Sequence, residues 1–351
     1  MNDRSNPSST IPPDAGSVAE VLPSDPPSLM PSVPAEPAIT QEEIGTARRY
    51  ADASRAASTQ RAYTSDWRRF ATWCAARNLD ALPADPRVVA VFLAAEAEAG
   101  SAPLTVGRRL AAIGWMHRRA GLQPPQKREG AAAILEVIAG IRRSHGIAPV
   151  RKLAADADVL RDILRAIPGE DLRSVRDRAL LAFGMAGAFR RSELVALTLA
   201  DVEWVKEGLR VTIRRGKTDQ DGAGATIAIP EGRRLRPRML LDRWVQQAGI
   251  ADGFLFRRLN RGKAGEATVS ALPMSDRAVA RLVQTRVLAA GYDPASFAGH
   301  SLRSGFLTAA ARSGASIFKM REVSRHKSMQ VLADYVRDAE LFRDHAGDGF
   351  L

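Results

Sequence analysis

Seven side chains in the second half of the sequence could act together, although each is ordinary alone. Arg190 and Glu193, in the stretch FRRSEL, stand three residues apart. That spacing puts them on one face of a helix and serves a surface ion pair as readily as a reaction site. His300 and Arg303, in HSLR, repeat the one-turn spacing. Lys217, in RGKTD, falls between two β-like runs, where a lysine is ordinarily just solvated. On one straight helix His326 and Tyr335 would point about 180° apart and sit about 13 Å from each other, too far for a common site. Lys327-Ser328 offers a break and an N-cap, so His326 can lie in the turn ahead of the helix that carries Tyr335. Several chemistries are excluded. There is no GxxxxGK[ST] nucleotide loop and no Cys/His spacing for zinc, and the lone Cys74 rules out a disulfide framework. The carboxylates are scattered rather than clustered as a two-metal nuclease needs. No cofactor and no metal is expected.

The charge balance points to the substrate. The chain has 351 residues and a formal charge of +12, with a sequence pI near 10.5. A polyanionic partner follows, nucleic acid ahead of a membrane surface. Apolar runs such as Val88–Ala95 are too short to span a bilayer, and nothing reads as a signal peptide. A reducing cytoplasm, with association to the nucleoid, is the expected compartment. The first forty residues hold nine of the twenty prolines and seven serines and carry a net charge of −4. Such a segment buries too little apolar surface to offset its chain entropy, so residues 1–41 read as a disordered leader. Residues 41–150 carry +6 and residues 151–351 carry +10, so positive surface is expected from two lobes.

The elements that must position the candidate residues divide in the same way. Residues 42–147 read as a four- or five-helix bundle. Tyr63, Trp67, Phe70 and Cys74 recur at helical spacing after a candidate N-cap at Ser58. Further helices are predicted from Asp85-Pro86 to Gly100, over Ala102–Arg119 and over Ala131–Arg143. Arg61, Arg68 and Arg69 lie off the apolar stripe, and the pairs Arg108-Arg109 and Arg118-Arg119 lie on the third helix. Solvated faces explain these arginines as well as helices laid on DNA phosphates and guanine edges do. His117 and His145 suit structural or phosphate-contacting places better than catalytic ones. Gly146–Lys152 reads as a linker. Beyond it, Val175–Leu197 is helical with a break near Gly184–Gly187. Leu209–Arg214 and Ala225–Pro230 form a hairpin with a polar tip. The fold class is mainly α with a small β-sheet.

The ordered set Arg190, Lys217, His300, Arg303, His326 and Tyr335, each in its local context, resembles the tyrosine recombinases, also called the phage integrase family. The likeness covers residues 42–345. STQRAYTSDWRRFATWC resembles the core-binding domain of that family, and LTVGRRLAAIGWMHRRAGL is similar to the corresponding helix of the Cre branch. The resemblance implies a helical core-binding domain over 42–147 and a catalytic domain over 148–351, forming a C-shaped clamp on DNA. It implies site-specific cutting and rejoining of double-stranded DNA at inverted-repeat sites, through a 3′-phosphotyrosyl link, without ATP or a metal. Tyr335 would be the nucleophile, and Arg190 and Arg303 would hold the phosphate oxygens. His300 would assist proton transfer, Lys217 would protonate the departing 5′ oxygen, and His326 would donate to the phosphate. Glu193 would orient its neighbours. The segment holding Val336, Ala339, Leu341, Phe342, His345 and Phe350-Leu351 would dock on a neighbouring protomer in a DNA-bound tetramer; packing on its own domain is the alternative. One residue departs from the pattern. The position before His326 is commonly Gly in the family, and here it is Arg325, which would be strained if that position requires positive φ. Two other functions stay open: relaxation of DNA by a type IB topoisomerase, and DNA binding without catalysis.

Overall fold

A computed structural model describes residues 39–146, 152–214, 224–262, 266–342, 346–347 and 349. The leader up to residue 38, most of the predicted linker, Lys217, His345 and Phe350-Leu351 lie outside the described residues. The chain divides at Thr64 into two compact units.

The first unit carries α1 (Gln41–Ala53) and the opening turns of α2 (Ala57–Ala75). Thr40 and Glu43 close a capping box at the start of α1: Glu43 accepts from the Thr40 amide at 2.8 Å, and Thr40 Oγ1 accepts from the Glu43 amide at 3.2 Å. The backbone enters α2 at Ala56, whose carbonyl accepts from Thr59 and Gln60. Ser58 therefore lies inside the first turn rather than capping it.

Among the described residues of the second unit there are three apolar clusters. The first joins the rest of α2 to α3 (Pro86–Glu98), α4 (Pro103–Arg119) and α5 (Ala132–His145). Asp85 caps α3 by accepting from the Arg87 amide at 2.7 Å, with Pro86 in the first turn where its missing N–H costs nothing. Phe70, Cys74, Phe92, Leu93, Ile113, Ile134 and Ile138 fill the middle, each large one contributing roughly 1.5–3 kcal/mol by burial.

The second cluster is built around α7 (Leu172–Ala186), buried nearly all round. Gly184 does not break it; the break comes at Gly187, and a Cβ on Gly184 would press Leu194 and Leu302 at 3.1 and 3.2 Å. Against it lie α6 (Ala157–Ala166), α8 (Arg191–Ala196), a sheet, and the helices α9 (Pro237–Gln247) and α10 (Asp276–Ala289). The sheet is antiparallel, in the order β1 (Val202–Val205), β2 (Gly208–Ile213), β3 (Ala225–Pro230). Leu209 pairs with Ile229 and Val211 with Ile227, and all four face the core by strand alternation. The predicted hairpin is there, and β1 extends it. A second hairpin, β4 (Arg257–Arg261) and β5 (Ala267–Pro273), was not legible in the sequence.

The third cluster, Leu307, Ala311, Met320 and Leu332, ties α11 (Ser301–Arg312), α12 (Ile317–Ser324) and α13 (Met329–Ala339) together. Gly305 lets α11 meet the segment ahead of α6, since a Cβ there would lie 1.9 Å from the Ala155 carbonyl oxygen. The class read from sequence, mainly α with small sheets, is the class observed.

Candidate active site

Arg190 is not on a helix face. It is the N-cap of α8, in extended conformation (φ −73°, ψ 149°). Glu193, three residues on, reaches back and accepts from the Arg190 amide at 2.9 Å and from its Nη1 at 2.5 Å. The predicted ion pair is real, but it fixes a helix start. Burial pushes the Glu193 carboxyl up, and the Arg325 and Arg190 guanidiniums with the Arg190 amide outweigh it, so the group is held below the ordinary carboxylate range.

Two other elements bring their residues to this point. Arg303, in the first turn of α11, is 1% exposed. Its Nη1 donates to the Ala188 carbonyl at 2.6 Å, and its Nη2 lies 3.2 Å from His326 Nδ1. Burial, then the nearby Arg190 and Arg325, lower its pKa to about 9, which still leaves it cationic at neutral pH. His326 sits in the turn between α12 and α13, as predicted, with Nδ1 2.9 Å from Ser324 Oγ. Ser328 takes the N-cap position of α13 without a side-chain bond. Burial, followed by Arg303 and Arg190, lowers the His326 pKa to about 4, so the imidazole is neutral at pH 7.

Arg325 is the residue whose importance the sequence only hinted at. Its φ is +57°, the left-handed conformation that glycine adopts freely. Its side chain turns inward, donating to Glu193 Oε2 at 2.8 Å and to the Gly187 carbonyl at 3.2 Å.

His300 and Tyr335 meet elsewhere in the same neighbourhood. His300 is the N-cap of α11 and is exposed; Tyr335 is half-buried on α13. Both line one cleft, with Ser304, Thr308 and Asp338. Tyr335 lies close enough to Arg303 to influence its ionisation.

The seven arginines of the helical region sort into three groups. Arg61, on α2 in the first unit, is exposed; so, in the second unit, are Arg68, Arg118 and Arg119. Arg119 lies over the Trp115 ring, 5.0 Å from its centroid. Arg69 and Arg108 are half-exposed and bound to buried acids: Arg69 to Glu96 at 2.8 Å, Arg108 to Asp66 at 2.7 Å. Arg109 is buried against Glu96, Asp66 and Ser101. Its guanidinium serves the interior and does not face a DNA surface. His117 is fully buried, accepting from the Ala84 amide at 2.9 Å with its Nδ1 on the Ile113 carbonyl, so of its expected roles it has the structural one. Among the described residues no group of acids, histidines and cysteine could hold a metal ion.

Separate helix starts and turns thus bring two arginines and a histidine together near the cleft that Tyr335 lines. Residues 155–341 match the model of the phage integrase family, and the chain belongs to that family. It is 33% identical over 302 residues to an integrase/recombinase xerD homolog of Selenomonas ruminantium, covering 86% of this chain and 87% of that one. It is 26% identical over 289 residues to the recombinase cre of Escherichia phage P1, covering 78% and 82%. Its fold is similar to that of a XerH site-specific recombinase bound to a palindromic difH substrate (TM-score 0.56, 16% identity, 73% and 70% covered). The chain is a tyrosine recombinase, an enzyme of site-specific recombination that cleaves and rejoins DNA strands.

Proposed function

We propose that the recombination runs through a 3′-phosphotyrosyl intermediate on Tyr335, formed in the site that Arg190, Arg303, His326 and His300 surround. The support is that Arg190 bonds the Arg325 carbonyl next to His326, that Arg303 lies within hydrogen-bonding distance of His326, and that Tyr335 and His300 line one cleft.

A phosphodiester carries one negative charge, and attack builds a second. Arg190 and Arg303 answer both, because guanidiniums stay charged and present paired donors to the non-bridging oxygens. A free phenol ionises only to about one part in a thousand at pH 7, so Tyr335 needs help to lose its proton, and His300 supplies it. Neutral His326 keeps one N–H to donate to the phosphate. Lys217, outside the described residues, protonates the departing 5′ oxygen. Glu193 orients Arg190. The phosphotyrosine conserves the energy of the broken strand, so a 5′-hydroxyl from another duplex reverses the step without ATP.

Exposed Arg61, Arg68, Arg118 and Arg119 are the proposed phosphate contacts of the helical region at inverted-repeat DNA sites. Leu341 and Phe342 are 60% and 87% exposed, whereas Val336 and Ala339 pack into their own domain. That split supports docking of the last segment on a neighbour in a DNA-bound tetramer. Deleting residues 341–351 is expected to leave binding to a single site mostly intact and to weaken pairing of two sites in a gel-shift assay.

The central test presents nicked duplexes cut from the DNA flanking the gene and looks for an adduct that survives SDS. Wild type is expected to form it and Tyr335→Phe to form none. An adduct that persists in Tyr335→Phe puts the nucleophile elsewhere.

A further inference from the structure

We propose that Arg325 is a positioning residue for cleavage, the clamp that holds Arg190 and the His326 turn in one geometry; this rests on the proposed role of Arg190 at the phosphate. The clamp has two arms. The side chain donates to Glu193 Oε2 at 2.8 Å, to the carbonyls of Gly187 and Ala188 at 3.2 and 3.3 Å, and to that of Val323. The backbone carbonyl of the same residue accepts from Arg190 Nη2 at 3.3 Å. Glu193 is thus shared: one oxygen takes Arg190 Nη1 at 2.5 Å, and the other takes both Arg325 and the Arg190 amide. The Phe189 ring lies 5.5 Å from the Arg325 guanidinium and closes that side.

The arrangement joins two segments 132 positions apart in sequence, the α7–α8 turn that presents Arg190 and the α12–α13 turn that presents His326. It also accounts for an arginine in a left-handed backbone position. A glycine would sit there without steric cost, so the arginine is held against its conformational preference by what its side chain does.

The role has an electrostatic signature. The groups facing Glu193 are Arg190 from the start of α8 and Arg325 from the end of α12, with Arg303 of α11 and neutral His326 behind them. Removing Arg325 leaves a buried carboxylate with one fewer cation, so its pKa must rise and Arg190 loses its anchor as pH falls.

The experiment compares wild type, Arg325→Gly, Arg325→Lys and Arg325→Gly/Glu193→Gln in single-turnover adduct formation on the nicked duplexes from pH 5 to 9. Arg325→Gly is expected to be about 10- to 100-fold slower at pH 7, as a slightly misplaced group is. Its acid limb is expected to move up by roughly one pH unit or more, with unchanged DNA affinity. Arg325→Lys restores the limb and part of the rate, and the double variant has no such limb. Urea melts of the same full-length proteins read the clamp without DNA: the stability lost in Arg325→Gly is larger at pH 7 than at pH 4, and that difference disappears with Glu193→Gln. A folded Arg325→Gly with the wild-type rate and limb overturns the proposal. An active Arg190→Ala overturns instead the reading on which it rests.

Discussion

Two clusters of arginine and carboxylate, one in the helical bundle and one around Glu193, resemble each other in their pairing and differ in balance. In the helical bundle, Asp66 and Glu96 are shared by Arg69, Arg108 and Arg109. Around the proposed site, Glu193 serves Arg190 and Arg325, with Arg303 and His326 beside them. The first cluster nearly neutralises itself, three cations on two anions, and it joins α2, α3 and α4. The second has three cations on one anion; burial, with the neighbouring arginines adding to it, lowers the pKa of Arg303 to about 9 and keeps His326 uncharged. Like charges in a low dielectric repel, so the second cluster gains less stability from its charges than the first. The surplus around Glu193 suits the anionic phosphate proposed to enter there.

The sharpest way to break this comparison is to remove one arginine from each cluster. Arg303→Ala is expected to slow adduct formation by about 10²- to 10³-fold, the effect of losing one donor to a developing oxyanion, and to cost less stability than Arg109→Ala, because relief of repulsion from Arg190 and Arg325 offsets part of the lost packing and the lost Ala188 bond. Arg109→Ala is expected to cost about 3–5 kcal/mol of folding free energy in urea melts, because Glu96 loses its buried partner. Its adduct formation should fall only as far as the protein unfolds. Equal stability losses in the two variants would erase the distinction.

Acidification tests the buried His117 and the half-buried His326 next. Burial lowers the pKa of His117, a backbone bond to Ile113 opposes it, and Arg128 adds to the lowering. A folded-state value below the unfolded one means that the neutral ring stabilises the fold fully above about pH 6.5. That contribution is lost as pH drops below it, because the unfolded chain binds the proton more readily. The urea midpoint should therefore fall from pH 6.5 downward, and His117→Gln should flatten the decline. His326 follows the same sign, with its loss extending toward its folded value of about 4.

A smaller effect tells the two rings apart. Sulfate in the catalytic cluster should offset Arg303 and Arg190 and raise the His326 pKa in an NMR titration, leaving His117 in place. Equal movement of both would show only general salt screening.

The smallest effect concerns arginines outside either cluster. Arg118→Ala or Arg119→Ala should reduce the salt slope of DNA binding by about one unit each, and Arg109→Ala should leave the slope of the folded protein unchanged.

These contrasts also show how far the sequence could be read. Helices α2 to α5 were legible because apolar residues recurred at helical period and Asp85-Pro86 marked a start. The β2–β3 hairpin was legible from alternation. β1 is four residues long, and β4 reads RRLNR, a charged run without an alternating apolar face, so neither announced itself. Arg109 stood beside Arg108 in a pair that suggested a DNA-facing surface. Its actual partners, Glu96 and Asp66, are 13 and 43 positions away. The Arg190–Glu193 spacing announced a contact and disguised its form, since a residue at N3 that reaches back to the cap has the same spacing as a pair on a helix face.

What the sequence determined by itself was local and chemical: the residue types, their order, the caps and periods, and the excess of positive charge. Those depend on neighbours within a few positions, and they sufficed for the fold class and the family resemblance. The tertiary structure alone decided which charges face inward. It set Arg109 into a bundle, gathered Arg190, Arg303 and His326 from three distant segments, and turned Arg325 back onto Glu193. Burial and pairing arise only when remote segments pack, and it is burial, through desolvation and proximity, that separates a solvated arginine from a structural one and both from those proposed to hold a phosphate.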